Sequence, residues 1–397
     1  MKRLKSLIGT KCSGLCFAIV LAVVVPLPQV SCLSDASNKN ISDGEPRQLS
    51  SKYDVAIFMP QAPFVASEKH SGSGGKELAH KIDSCLAAGI NVFIYDWIVL
   101  ENGDFIENGL CDFFKAPNSE RMMFAIVWTN RSAKDFWKMP VPVCDIWGAR
   151  GIGLNETAEI SEHEFRHVLV PRWIEYFKRP NYYKVNGKPL FQVSNPVSLA
   201  RWFGGPDGVL SNFKYFEKKA IEAGLDGVEF QCALGPMSNP DNAELCFRMG
   251  FKSVFCLNWL ETVHFSDFEE LNLIGKTRLD YKVWGDIFFS IFDSLAKTYP
   301  QLQFYPNVSC DILPQISLQS ANGDFVVIGG NRQKFEYFLR KAKLWTDRNI
   351  SGKKSKLIII DSLGKSALES EVDSGKQSEY DFLNAVAGVF GSHGQAR

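Results

Sequence analysis

Two hydrophobic periods alternate along residues 51–391. Short, nearly continuous apolar runs recur at 53–59 (YDVAIFM), 91–97 (NVFIYDW), 122–128 (MMFAIVW), 189–193 (PLFQV), 227–233 (GVEFQCA), 253–259 (SVFCLNW), 304–310 (FYPNVSC) and 356–361 (KLIIID). Runs this short, without strict polar alternation, read as strands buried on both faces, as in parallel sheets. Between them the apolar positions fall at helical spacing. Leu78, Ile82, Cys85 and Leu86 share one face, and Gly89 stands where a helix C′ residue belongs. A short helix is predicted near 105–115. A longer one over 161–177 opens on Ser161, with Glu164 at capping-box spacing. The segment 211–223 places Phe213, Phe216, Ala220 and Ile221 on one face, with Ser211 as its cap. Residues 242–249, 279–298, 332–347 and 379–390 complete the series, the third with a stripe of Phe335, Phe338, Leu339 and Ala342.

Eight strands alternating with helices predict an α/β fold, a single-domain (β/α)8 TIM barrel over 51–391. A doubly wound open sheet is the alternative. It would more readily carry a glycine-rich turn after the first strand, whereas Met59 is followed by Pro60-Gln61-Ala62-Pro63.

The first 32 residues follow another pattern. Lys2, Arg3, Lys5 and Lys11 precede a nearly all-apolar stretch from Leu15 to Leu27, and small residues follow at Ser31, Cys32, Ser34 and Ala36. That is a signal segment over 1–32, too short for a comfortable membrane span. Cys32 could instead carry a lipid anchor, although Gln29 fits that signal poorly. Residues 33–50 read as a polar tether and 392–397 as a tail. The expectation is an exported protein, periplasmic, cell-surface or extracellular, whose one membrane contact would be the anchor at Cys32.

Across 397 residues, 44 basic and 44 acidic side chains balance to no net charge. No basic footprint for nucleic acid results. The ten cysteines show no C-x-x-C pair, hence no zinc ribbon or redox motif; Cys85, Cys232 and Cys256 sit in apolar runs as buried thiols. Export would permit disulfides, with a connectivity that spacing does not give. No cofactor is expected. His163-Glu164-Phe165-Arg166-His167 matches the zincin H-E-x-x-H, which can hold zinc between two histidines on one helix face. No third ligand follows at metzincin spacing, Glu175 is not specifically indicated, and Pro171 interrupts the helix. A polar helix face, with Glu164 as a capping residue, is the better reading, and a zinc metalloprotease is a remote alternative. Gly72-Ser73-Gly74-Gly75-Lys76 lacks Walker spacing and reads as a loop. Of five Asn-x-Ser/Thr sequons, those at Asn130 and Asn307 fall on or beside strands, where a glycan would be awkward.

Candidate chemistry gathers where strands end, the edge that builds the active site in barrels of this kind. Asp96 and Trp97 end the second strand; Trp128, Thr129 and Asn130 follow the third; Asn258, Trp259 and Glu261 the sixth. Asp311 follows the seventh and Asp361 ends the eighth. Any one of these is more often packing or an N-cap. Together they suit a sugar site, in which aromatic faces cover the apolar side of a pyranose while carboxylates and amides bind hydroxyls. Glu229, just inside the fifth strand, is either paired, lumen-facing near the mouth or a sign of misassigned register.

Several segments resemble one family. YDVAIFMPQ (53–61), AGINVFIYDW (88–97), FAIVWTN (124–130), NYYKVNGKPLF (181–191), FYPNVSCDILP (304–314) and the helix GNRQKFEYFLRKA from Gly330 are similar to WbsX-like proteins, related to glycoside hydrolase family 99. That resemblance covers nearly all of 53–390 and implies a (β/α)8 barrel acting on glycans, with endo-acting α-mannosidases among the relatives. It also implies a catalytic glutamate pair in an Asn-Glu-Trp-x-Glu motif at the eighth strand. Here the corresponding run is Asp361-Ser362-Leu363-Gly364-Lys365, with Ser362 and Lys365 at the glutamate positions; Gln315 stands where an arginine is usual. Glycoside hydrolysis ordinarily needs two carboxyl groups. The expected catalytic acids are therefore Asp96 and Asp311, with Glu261 third. Glu369 and Glu371 are further acids beyond the eighth strand. Trp97, Trp128, Asn130, Asn258, Trp259 and Asp361 are the expected substrate-binding residues. A glycan or polysaccharide is the expected partner, and a catalytically degenerate, lectin-like barrel is the second reading.

Overall fold

The computed structural model describes residues 52–59, 74–130, 158–234, 241–257, 259, 278–310, 318–320, 323–352, 355–361 and 382–391. The expected signal segment, tether and tail lie outside these, as do Cys32, Gly72 and Ser73, whereas Gly74, Gly75 and Lys76, expected as part of a loop, form the first turn of a helix over Gly74–Ala88.

One parallel sheet organises the chain. Its parallel strands are β1 (Asp54–Met59), β2 (Val92–Val99), β3 (Met123–Trp128), β4 (Lys188–Val193), β5 (Glu229–Ala233), β6 (Ser253–Phe255), β7 (Gln303–Phe304), β8 (Asn307–Ser309) and β9 (Leu357–Asp361), and the short segments Phe105–Ile106 and Lys184–Val185 pair antiparallel with β2 and β4. The spatial order is β7-β6-β5-β4-β3-β2-β1-β9-β8, and every pairing along it is parallel. Each of the eight apolar runs supplies a strand. The run at 304–310 is split, and its two pieces lie at opposite ends of the sheet. Phe304 pairs with Val254 of β6, while Asn307, two residues past Tyr305, pairs with Ile359 of β9. Pro306 explains the break, because it has no N–H to give to a ladder; its carbonyl accepts from Ile359 N–H at 3.0 Å.

The helices are α1 (Gly74–Ala88), α2 (Asn108–Lys115), α3 (Glu162–Glu164 continuing through Phe165–Leu169 into Val170–Phe177), α4 (Pro196–Trp202), α5 (Pro206–Glu222), α6 (Asp241–Arg248), α7 (Tyr281–Thr298), α8 (Arg332–Asn349) and α9 (Phe382–Phe390). Among the described residues no helix is long and apolar enough to cross a membrane. Two expectations for the helices at 161–177 and 211–223 also need correcting. Pro171 does not end α3: the chain inserts a π turn over Phe165–Leu169, where Val170 N–H bonds to the Phe165 carbonyl five residues back. One wider turn absorbs the missing proline donor and the helix continues. And α5 starts at Pro206 rather than at Ser211, with its proline in the first turn, where no N–H is needed. Gly89 ends α1 at φ +95°, and a Cβ there would come within 2.8 Å of the Phe390 backbone, so both conformation and packing require glycine.

Ring contacts fix which way each strand faces. Phe58 of β1 meets Phe255 of β6 with centroids 5.9 Å apart, although five pairings separate the two strands, so both point into the concave interior of a curled sheet. Register then places Ile94, Asp96, Ala125, Val127, Gln192, Gln231, Ser253, Asn307 and Asp361 on that interior face. Phe93, Trp97, Trp128 and Phe191 point the other way, into the layer between sheet and helices. Trp173 of α3 is the hub of that layer, with centroids 5.3 Å from Trp97, 5.1 Å from Trp128 and 4.5 Å from Phe191.

Candidate functional site

Asp96 lies on the interior face near the C-terminal end of β2, half-buried. Thr129, one residue past β3, donates its hydroxyl to the Asp96 carboxylate at 2.8 Å, and its N–H holds the Trp97 carbonyl at 3.0 Å. The acid is thereby fixed by the neighbouring strand. Asp361, the last residue of β9, reaches the same edge on the other side of β1. It is buried and accepts a hydrogen bond from Cys310 N–H at 3.2 Å. Through β1, Ile360 is level with Ile57 and Tyr95 with Met59. The two acids therefore stand two strands apart on one edge, roughly 10 Å across the sheet at ~4.8 Å per strand.

The tryptophans are elsewhere. Trp97, Trp128 and Trp259 are all at most 1% exposed. Trp97 stacks on Phe105 and gives its indole N–H to Glu107 at 2.8 Å. Trp128 packs on Trp173, Phe165 and Trp202. Trp259 lies among Tyr281, Trp284 and Phe288, its N–H on the Asn307 carbonyl at 3.2 Å. With their rings covered by helices, none of the three serves as an open sugar platform, and the sugar-binding role expected of them gives way to packing. Asn130 is also committed. Its side-chain carbonyl accepts from Asn195 N–H at 2.8 Å and its amide donates to the Asn195 carbonyl at 2.7 Å, joining the ends of β3 and β4. Asn130 and Asn307 are both buried, as the sequon reading anticipated. Asn258, Glu261, Asp311, Ser362, Lys365, Glu369 and Glu371 lie outside the described residues.

A polar chain in the interior went unrecognised in the sequence. Gln192 of β4 donates to Gln231 of β5 at 2.5 Å, Gln231 to Ser253 of β6 at 3.3 Å, and Ser253 to Glu229 at 3.0 Å. Every donor points toward the Glu229 carboxylate, at the N-terminal end of the sheet. Glu229 is thus hydrogen-bonded and faces the interior, but at the end of the sheet opposite the edge that carries Asp96 and not near the mouth, as one of the sequence alternatives had it. The signal was the alternation of Glu229 and Gln231 with Phe230 and Cys232. Burial pushes the Glu229 carboxyl up from its ordinary range. A raised carboxyl pKa means that the folded state holds a proton the unfolded chain has released, so this group's contribution to stability falls as pH rises from the unfolded value through the folded one. Glu229→Gln is therefore expected to melt higher than the parent at pH 7, and the gap should close as the pH drops below the ordinary glutamate value of 4.5. Melting curves across that range test this; a gap independent of pH would refute it.

The H-E-x-x-H face is on α3, at the surface. Ser161 and Glu164 form a full capping box, the Ser161 N–H donating to the Glu164 carboxylate at 2.9 Å and Glu164 N–H to the Ser161 hydroxyl at 3.2 Å. Those bonds hold the Glu164 carboxyl below its ordinary range, whereas a general base is better served by a value near neutral. His163 and His167 pack on each other with centroids 4.7 Å apart and ring planes tilted by 43°, and Glu175 pairs with Lys178. Among the described residues no three His, Cys, Asp or Glu side chains gather as a metal site.

No family model matches the chain, and no curated protein matches it. Among solved structures it is similar to a glycoside hydrolase-like protein at 15% identity, over 83% of this chain and 88% of that one, with a TM-score of 0.49. A GH99 endo-alpha-mannosidase from Bacteroides thetaiotaomicron shares 13% identity over 77% and 82% of the two chains, at a TM-score of 0.41. A family 5 mannosidase from Rhizomucor miehei shares 12% over 81% and 84%, at 0.43. Likenesses at such identities concern the fold alone.

Proposed function

We propose that this chain is an exported, glycan-directed (β/α)8 barrel of the glycoside-hydrolase type, cleaving a glycosidic bond in a polysaccharide or glycan. The observation that carries the reading is Asp96, a carboxylate fixed by Thr129 on the interior face of a parallel sheet at its C-terminal edge. The sequence resemblance to family 99-like proteins supports the substrate class. The barrel reading draws support from residues 303–309, which pair with β6 at one end and β9 at the other. Export is supported by the leader-like segment and by Cys111, which is in a disulfide. Cys32 is kept as an alternative lipid-anchor position.

In this reading one carboxylic acid protonates the leaving oxygen and a second carboxylate acts as base or nucleophile. Asp96 is one member. Asp311, two residues past β8 in sequence, is the proposed partner, and Glu261 the third acid. Asp361 is assigned to binding. Removing a general acid or base typically costs about 10²–10⁴-fold in rate, so Asp96→Ala and Asp311→Ala should each lower the release of reducing ends from a glycan panel by that range. Undiminished release would remove the two acids from the site.

A second reading rests on Ser362 and Lys365, which hold the positions where the resembled family has its glutamate pair. Neither side chain can serve as the usual acid or nucleophile. A protein that binds glycans in calorimetry yet releases no reducing ends would be a binding barrel.

A further inference from the structure

Cys232 and Cys246 face each other between a strand and the helix that follows it. Cys232 is on β5, on the side of the sheet that packs against helices, as its neighbour Phe230 shows by stacking on Phe213 of α5 at 4.1 Å. Cys246 is on the buried face of α6, with Asn242 and Ala243. Both cysteines are fully buried, and their sulfurs are 3.1 Å apart. Even two carbon atoms in good contact sit at about 3.5–4.0 Å, and sulfur is larger. The pair is therefore closer than ordinary packing allows, and an approach of about 1 Å more would bring the two sulfurs to the bond length of about 2.05 Å. The third cysteine of the cluster, Cys256, places its sulfur 3.6 Å from the Leu234 carbonyl.

We propose that Cys232 and Cys246 are joined by a disulfide in the mature protein. The inference rests on the export reading, since the bond needs an oxidising compartment. In the reaction a thiolate of one residue attacks a protein disulfide of the export pathway and forms a mixed disulfide. The second thiolate then displaces it. The Cys232–Cys246 bond forms, two protons leave the thiols, and the two electrons reduce the oxidant to a dithiol. The two cysteines belong to one strand–helix unit, so they can meet as soon as that unit forms, before the burial that raises the Cys232 thiol pKa and silences it as a nucleophile.

The test uses the full chain, secreted with its own leader. It is denatured in iodoacetamide without reductant, digested and analysed by mass spectrometry. The expected result is a linked pair of peptides containing Cys232 and Cys246, lighter by two hydrogens than their sum, while Cys85 and Cys310 carry the alkyl group. Cys246→Ser should return Cys232 to the alkylated set. Alkylation of both Cys232 and Cys246 while Cys111 stays linked overturns the disulfide and leaves the export reading standing. Alkylation of Cys111 as well overturns both.

Discussion

Glu107→Ala is expected to destabilise the protein by about 3–5 kcal/mol, the scale found when one partner of a buried ion pair is deleted. Glu107 is 4% exposed and accepts from the Trp97 indole at 2.8 Å, the Tyr176 hydroxyl at 2.7 Å and the Arg172 guanidinium, whose Nε is 3.3 Å away. Alanine would strand three donors, one of them a cation lying over the Phe105 ring at 4.4 Å. The Tyr176 hydroxyl, held above its ordinary range by burial and by the Glu107 charge, would lose its acceptor. Urea denaturation reads the difference directly, and a loss below about 1 kcal/mol would show that the pair is effectively solvated. Replacing the pair together, as Glu107→Leu with Arg172→Met, should recover most of the loss, because no buried charge is then left alone.

Trp173→Ala should cost a similar amount, about 3–5 kcal/mol for deleting a buried tryptophan. The ring is fully buried among Trp97, Trp128, Phe165, Phe191 and Phe216. These neighbours come from three strands and two helices, so collapse into the vacated space would require several elements to move together. A shift in denaturation midpoint worth less than about 1.5 kcal/mol would mean that the layer repacks readily. Trp97→Ala and Trp173→Ala combined should cost less than the sum of the two, since each removes a contact of the other.

The strand positions were legible because a strand buried on both faces has few polar residues to obscure it. The helices were legible from their stripes, as with Phe335, Phe338, Leu339 and Ala342, all buried on α8. That continuity of apolar residues also hid the facing of each strand. Nothing in VFIYDWIV says which alternate residues look inward, so Asp96 and Trp97 read as one constellation. Adjacent residues on a strand point to opposite faces, so only one of them could reach the mouth. The π turn in α3 was hidden too, because a proline in a helical pattern signals an end as readily as a widened turn. The Glu107–Arg172 pair, 65 residues apart in sequence, could not be inferred from local spacing.

The split strand at 303–309 has a consequence for how the chain can be cut. β9 lies between β1 and β8, so a protein lacking residues beyond about 356 would keep seven consecutive strands and their helices but lose the piece that joins first to last. β1 and β8 would then each present an unpaired ladder, that of β1 richly apolar, and exposed edges of that kind invite pairing with other molecules. C-terminal truncation should therefore produce self-association rather than a smaller soluble barrel, and a ribosome would have to deliver nearly the whole chain before either rim was protected.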